Sequence, residues 1–192
     1  MLFRSDRSVV DGLLKEAPEG MPLAGIAPGT VWNTKQWLPE RYSELVSKLR
    51  DEKSFVVLIG GENDRGLCER MAGDSRNVLS AAGKLTLLQS AELIRRCSVL
   101  VCNDSAPMHC AVAMRTPVVA IFGATIPGYG FAPFGERDII VETNGLTCRP
   151  CSIHGGAECP IHTFECMKAI STERVYNQVQ AILSSKHNQM SS

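Results

Sequence analysis

The stretch Ser98–Thr125, SVLVCNDSAPMHCAVAMRTPVVAIFGAT, decides the fold. Ser98 to Cys102 and Thr116 to Phe122 are short uncharged runs rich in β-branched residues, the pattern of strands covered on both faces. Between them Asn103, Asp104 and Ser105 are capping residues for a helix predicted over residues 107–114. Pro107 falls in its first turn, where a missing N–H costs nothing. The unit is strand, tight turn, helix, strand. In open parallel sheets ligands bind beyond the carboxyl ends of the strands, where helix N-termini offer unpaired N–H groups to anions. Asp104, Ser105 and His109 are placed at that end, and a histidine in the next turn goes beyond what capping needs.

Working outward, Leu23 to Ala27 reads as a strand that breaks at Pro28-Gly29. Pro39 opens a helix in which Tyr42, Leu45, Val46 and Leu49 recur at i, i+3, i+4 and i+7. Ser54 to Ile59 is a buried-type strand ending in Gly60-Gly61, followed by a polar segment able to form a helix, and Asn77 to Ser80 is a short strand. Thr86 and Gln89 fit a capping box for an amphipathic helix reaching about Cys97. A last strand falls near Ile139 to Glu142, and Ser171 to Leu183 is a closing helix with Val175, Val179, Ile182 and Leu183 on one face. Strands alternating with helices in this way predict an α/β fold, a Rossmann-like parallel sheet with helices on both faces. Residues 1–22 are expected to be an irregular interdomain remnant, 23–185 one domain that includes a cysteine-rich loop at 144–166, and 186–192 a disordered tail.

The 192 residues suffice for one full core. Twenty basic and twenty acidic residues cancel, which leaves no basic field for nucleic acid. No apolar run is long enough for a membrane span, and the N-terminus turns charged before a signal-peptide core can form, so a cytoplasmic protein is expected. Eight cysteines in such a compartment point to metal, reactivity or packing before disulfides. Cys68, Cys97, Cys102 and Cys110 lie in apolar segments and read as small core residues.

Four strand ends carry unusual residues, and in a parallel sheet all four point the same way. The loop 29–37, GTVWNTKQW, holds hydroxyls and Lys35, a mobile point charge suited to a phosphate. Lys35 reads equally as a solvated surface residue, with Trp32 and Trp37 as packing. Glu62 and Asp64 in GGEND are carboxylates able to accept from ribose hydroxyls, or ordinary loop chemistry. Leu85 in AGKLT can pack against a flat base, or merely precede a helix cap. The fourth end is the NDSAPMH segment itself.

These segments, in this order over about residues 23–183, resemble the C-terminal half of glycosyltransferase family 9, the ADP-heptose lipopolysaccharide heptosyltransferases. The run NDSAPMHCAVAMRTPVVAIFGAT is similar to the family's N-D-[ST]-G-x-x-H pattern with its following strand, and GTVWNTKQWLPERY to its Gly-rich turn, lysine and Trp-Pro. Ala106 stands where the family usually has glycine, Gln36 where arginine is frequent, and Leu38 separates Trp37 from Pro39. The resemblance implies the C-terminal half of a GT-B fold, two Rossmann-like domains facing each other across a cleft. It implies Thr30 and Lys35 at the diphosphate, Glu62 or Asp64 at the ribose and Leu85 at the adenine. Asp104, Ser105, Ala106 and His109 would lie around the diphosphate and heptose. Lys35 and a helix N-terminus would replace a divalent cation, so no catalytic cofactor is implied. The general base is implied to be an aspartate of the N-terminal domain, so this chain is expected to bind ADP-heptose without transferring it alone. The acceptor would be the lipopolysaccharide core, met through that other domain with at most peripheral membrane contact.

Cys148, Cys151, Cys159 and Cys166 form C-x2-C-x7-C-x6-C in a stretch with no periodicity. Long structureless loops need something to hold them, and four thiolates around tetrahedral zinc would do so. An iron–sulfur cluster, unmetallated thiols or disulfides are the alternatives. Similar loops occur among enzymes resembling heptosyltransferase II, so the resemblance leans to that subgroup. Two other functions compete: a GT-B sugar-nucleotide epimerase, which lacks the Lys35 to Pro39 run, and a non-catalytic nucleotide- or zinc-binding module.

Overall fold

The computed structural model describes residues 4–189. Six strands, β1 (Leu23–Ala27), β2 (Phe55–Leu58), β3 (Val78–Ser80), β4 (Val99–Asn103), β5 (Val118–Phe122) and β6 (Ile139–Glu142), form one sheet in the order β3-β2-β1-β4-β5-β6. Every neighbouring pair is parallel. The helices are α1 (Arg4–Leu13), α2 (Pro39–Asp51), α3 (Arg65–Ala72), α4 (Leu87–Arg96), α5 (Ala106–Met114), α6 (Glu165–Lys168) and α7 (Thr172–Gln189). Among the described residues no helix is long and apolar enough to cross a membrane.

The uninterrupted apolar strands are explained by two separate cores. Side chains alternate across a strand. Val99 and Val101 of β4 join Ile26, Leu58, Val119 and Ile121 under α2, α3 and α7, whereas Leu100 and Cys102 join Val57, Ala120 and Phe122 under α1, α4 and α5. Burial on both faces at about 25 cal/mol per Å² of apolar surface favours apolar residues throughout β5 and in β4 as far as Cys102, leaving Asn103 as the one polar residue of the two strands. The predicted α/β class and strand positions hold, with the fourth strand shifted by one residue because Asn103 still pairs with Ile121 in the ladder.

Two terminal expectations are corrected. Residues 4–13 are not irregular: α1 buries Val10 completely in the second core and binds Asp11 to Arg96 of α4 at 2.7 Å. That packing makes α1 part of the sheet domain. Only about one apolar residue per turn, with Gly12 between, marks this helix in the sequence. At the other end α7 continues to Gln189, through positions expected to be disordered, and residues 190–192 lie outside the described ones.

The α1–α4 contact is organised by one acid. Glu92 is fully buried, and its carboxylate accepts from Arg95 Nε and from Arg96 Nε, each at 2.7 Å. Hydrogen bonding from Arg95, followed by that from Arg96, lowers its pKa from 4.5 to about 2. A carboxyl whose folded pKa is depressed contributes stability fully above its unfolded value, and that contribution fades as pH falls through the folded one. Urea denaturation across a pH series is expected to show Glu92→Gln less stable than the parent by about 1–3 kcal/mol at pH 7. The gap should narrow below pH 4.5 and close by about pH 2. A gap independent of pH refutes the ionic role.

Candidate functional site

The order in which strands are added to the sheet reverses between β1 and β4, and the crevice above that switch point is where parallel sheets place ligands. Asn103 builds the crevice. Its carboxamide, wholly buried, donates to Pro28 O at 2.9 Å and accepts from Trp37 N and Tyr42 Oη, both at 3.0 Å. One side chain therefore fixes the loop after β1 and the start of α2 to the end of β4. Trp37 is further held by its indole N–H on Ile170 O at 3.0 Å and by an edge contact with Tyr42.

A cavity of about 500 Å³ opens at the switch point. Thr30 and Val31 after β1, residues 60–64 after β2, Leu85, Leu87 and Ile94 around α4, and residues 105–107 at the start of α5 form its walls. Its two polar ends differ. After β2, Asp64 accepts the Gly61 N–H at 2.9 Å and presses against two glycines: a methyl group on Gly29 or Gly60 would stand 2.1 or 2.6 Å from its atoms. A side chain at either place would displace the Asp64 carboxylate. Glu62, paired with Arg65 at 2.9 Å, leaves two thirds of its side chain in solvent.

The opposite end is the N-terminus of α5, whose first turn receives no side-chain cap. The Ser105 hydroxyl turns away to Asn103 O at 3.2 Å. Pro107 brings no N–H and the Met108 N–H donates to Ser105 O at 3.0 Å, so what this end offers an anion is the positive end of the helix dipole. Immediately before the helix, Asp104 is buried, with its Oδ2 at 2.6 Å from Lys35 Nζ and 2.7 Å from Thr125 Oγ1. The crevice therefore offers hydroxyl acceptors, an apolar slot between them and an anion seat.

The model of glycosyltransferase family 9 (heptosyltransferase) matches residues 6–161. The chain belongs to glycosyltransferase family 9. Lipooligosaccharide heptosyltransferase 2 of Haemophilus ducreyi is 31% identical over 134 residues, covering 66% of this chain and 38% of that protein. Its counterpart in Campylobacter jejuni is 24% identical over 173 residues, covering 88% of this chain and 53% of that one. The structure of Escherichia coli ADP-heptose lps heptosyltransferase II superposes with a TM-score of 0.78 at 24% identity, over 97% of this chain and 54% of that one. The chain spans about half or less of the length of these relatives, and its fold is the corresponding half of their GT-B architecture. Membership of the family sets aside the epimerase reading.

Of the residues expected at the family's donor site, Thr30, Glu62, Asp64, Leu85, Ser105 and Ala106 line the one cavity. Lys35 and Asp104 form their ion pair outside that lining. His109 is not brought in: it is exposed on α5, and one residue before Cys110, which does face the cavity, its side chain points about 100° away. Ala106 places an exposed methyl on the cavity wall. Sequence reasoning missed Thr125 and Arg149. Arg149 donates to Thr125 O at 2.7 Å and to Glu142 at 2.8 Å, and also to Thr143 O, which ties the cysteine loop to the strand end that holds Asp104.

All eight cysteines are free thiols. Burial pushes Cys68 and Cys97 up to about 12 and Cys102 higher still, as inert core groups. Cys110, expected in the core, is only half-buried and lines the cavity. In the loop, the Phe164 N–H donated to Cys159 Sγ at 3.4 Å holds that thiol below its ordinary range. Burial raises Cys166 to about 11, with Cys151, Cys159 and Cys148 close enough to add to the effect. Among the described residues no three His, Cys, Asp or Glu side chains are gathered so as to hold a metal ion.

Replacing Asn103 by alanine strands the Trp37 amide and the Tyr42 phenol and leaves Pro28 O only the long bond from Gln36 Nε2 at 3.5 Å. Each such group costs about 1–3 kcal/mol, so Asn103→Ala should lose about 3 kcal/mol or more in denaturant titration. Asn103→Asp keeps the acceptor for Trp37 N and Tyr42 Oη but sets a buried carboxylate oxygen against Pro28 O, so it too should be destabilised. An alanine variant as stable as the parent contradicts this account of the crevice.

Proposed function

We propose that this chain is the donor-binding half of a heptosyltransferase that takes heptose from ADP-heptose for the lipopolysaccharide inner core, on the cytoplasmic side of the membrane. The observation that carries the reading is a single crevice at the β1/β4 switch point, carboxylates at one end and an uncapped helix N-terminus at the other. Glu62, the more exposed acid, accepts from the ribose hydroxyls, while Asp64 shapes the floor. Leu85 and Leu87 cover the adenine. The first turn of α5 receives the diphosphate, with Lys35 turning from Asp104 to share its charge. A leaving ADP gains negative charge in the transition state, and the positive end of the α5 dipole with one ammonium stabilises it. His109 is exposed on α5 and stands outside the lining of this cavity. The acceptor and the base that deprotonates it belong to the half of the GT-B fold that this chain does not span.

Calorimetric titration of the chain with ADP and with adenosine tests the assignment. ADP should bind more tightly than adenosine, and Lys35→Ala should weaken ADP about tenfold or more, the worth of one charge-assisted hydrogen bond. Absence of ADP binding to the folded parent would favour a module with another ligand.

The cysteine loop is a separate part of the proposal: Cys148, Cys151, Cys159 and Cys166 close around one structural metal ion, zinc or iron by the softness of four thiolates. Four mutually close thiols fit that donor set, although they must draw together from the positions they now hold. Cobalt added to the reduced chain should give tetrahedral thiolate absorption at one equivalent, abolished in a Cys151→Ser, Cys159→Ser double variant. A spectrum of octahedral aqueous cobalt alone rules the site out.

A further inference from the structure

Lys35 lies outside the cavity lining, and what decides where its ammonium stands is the packing of its stem. Three hydrogen bonds join the residue before it to the cysteine loop. Thr34 N donates to Gly156 O at 3.1 Å, Thr34 Oγ1 donates to the same oxygen at 3.0 Å, and Gly156 N donates back to Thr34 Oγ1 at 2.7 Å. Thr34 is 3% exposed, so this clasp is shielded from water. Gly155, at φ +88°, lies flat on the lysine: a methyl group there would stand 2.9 Å from both Cγ and Cδ of Lys35. The far end of the same loop is fastened to the β5 end, Cys151 N on Ala124 O at 2.9 Å and Arg149 on Thr125 O at 2.7 Å. Thr125 in turn holds the Asp104 oxygen that Lys35 meets.

We infer that Thr34, Gly155 and Gly156 are positioning residues for Lys35, so that the cysteine loop sets the affinity for the diphosphate part of the ligand without touching the ligand. This rests on the reading of Lys35 as a phosphate contact. The clasp fixes the backbone from which the lysine springs, and the Gly155 surface leaves its stem one path, toward Asp104. A loop remote from the base and ribose subsites thereby acts on one charge only. Its removal lowers binding of ligands that carry a diphosphate and leaves nucleoside binding alone.

The test uses the whole chain, with thermal melting to confirm folding, and measures ADP and adenosine affinity together with acetylation of Lys35 by a water-soluble amine reagent. Thr34→Val keeps the shape and deletes two of the three bonds. It should weaken ADP about three- to tenfold, leave adenosine within twofold and raise Lys35 acetylation. Thr34→Ser, which restores the hydroxyl, should recover the parent values on all three readouts. Gly155→Ala, whose methyl would crowd both the Lys35 stem and Thr34 Oγ1 at a strained backbone angle, should reproduce the Thr34→Val pattern. If Lys35→Ala weakens ADP but Thr34→Val and Gly155→Ala do not, the positioning role is wrong and the phosphate reading survives. If Lys35→Ala leaves ADP unchanged while both loop variants expose Lys35 to acetylation, the clasp is real but the phosphate reading fails. Equal loss of ADP and adenosine in the variants overturns the inference, since that marks general damage to the crevice.

Discussion

The buried carboxamide of Asn103 is the constraint from which the crevice follows. A strand end at the switch point must stop pairing, yet the loops on either side have to be held apart by a fixed amount for a ligand to enter. Asn103 does both, because its amide group has one donating and one accepting face and the loop after β1 supplies a partner for each. An aliphatic residue of the same size would satisfy the packing of β4 but leave Trp37 N and Tyr42 Oη buried without the acceptor they share, and Pro28 O with only the 3.5 Å bond from Gln36. Aspartate would lack the donor. The residue type is fixed by hydrogen-bond arithmetic in a site that water does not reach.

The two ends of the cavity illustrate how similar side chains acquire different work. Asp64 and Glu62 are two residues apart, but Asp64 spends an oxygen on Gly61 N and its bulk on Gly29 and Gly60, so it is a structural wedge. Glu62 stands largely in solvent with one arginine for company and keeps acceptor capacity. The glycines of both loops thus answer to a neighbouring carboxylate as much as to turn geometry.

Much of this was legible in the sequence. Apolar runs bounded by Gly, Pro and Asn announced the parallel sheet because burial on both faces admits nothing else, and the Thr86–Gln89 capping box is realised in both directions, at 3.0 and 3.3 Å. Six of the nine expected donor residues meet in one cavity, since all come from carboxyl ends of adjacent strands. What was not legible depends on phase or on distance along the chain. The rotation of α5 decides that Cys110 faces the cavity and His109 does not, and no local pattern in a helix apolar on most sides records that phase. Likewise α1 carries too few apolar residues to show a period. The bonds from Arg149 to Thr125 and from Gly156 to Thr34 join segments 24 and 122 residues apart and leave no mark in either segment alone.

Asp104 poses the sharpest electrostatic question at the site. A carboxylate directly before a helix would ordinarily occupy the positive end of the dipole and repel a phosphate. Here its Oδ2 is engaged by Lys35 and by Thr125, with 8% of the side chain exposed, so its charge is drawn away from the first turn of α5. A buried ion pair of this kind contributes little net stability against desolvation, and its value is geometric. It keeps an ammonium beside an anion seat in a state that is neutral overall until a ligand arrives. A phosphate that reaches the helix then competes with Asp104 for the same lysine, and because Thr125 remains on the carboxylate oxygen, Lys35 can be shared without leaving a bare buried charge behind.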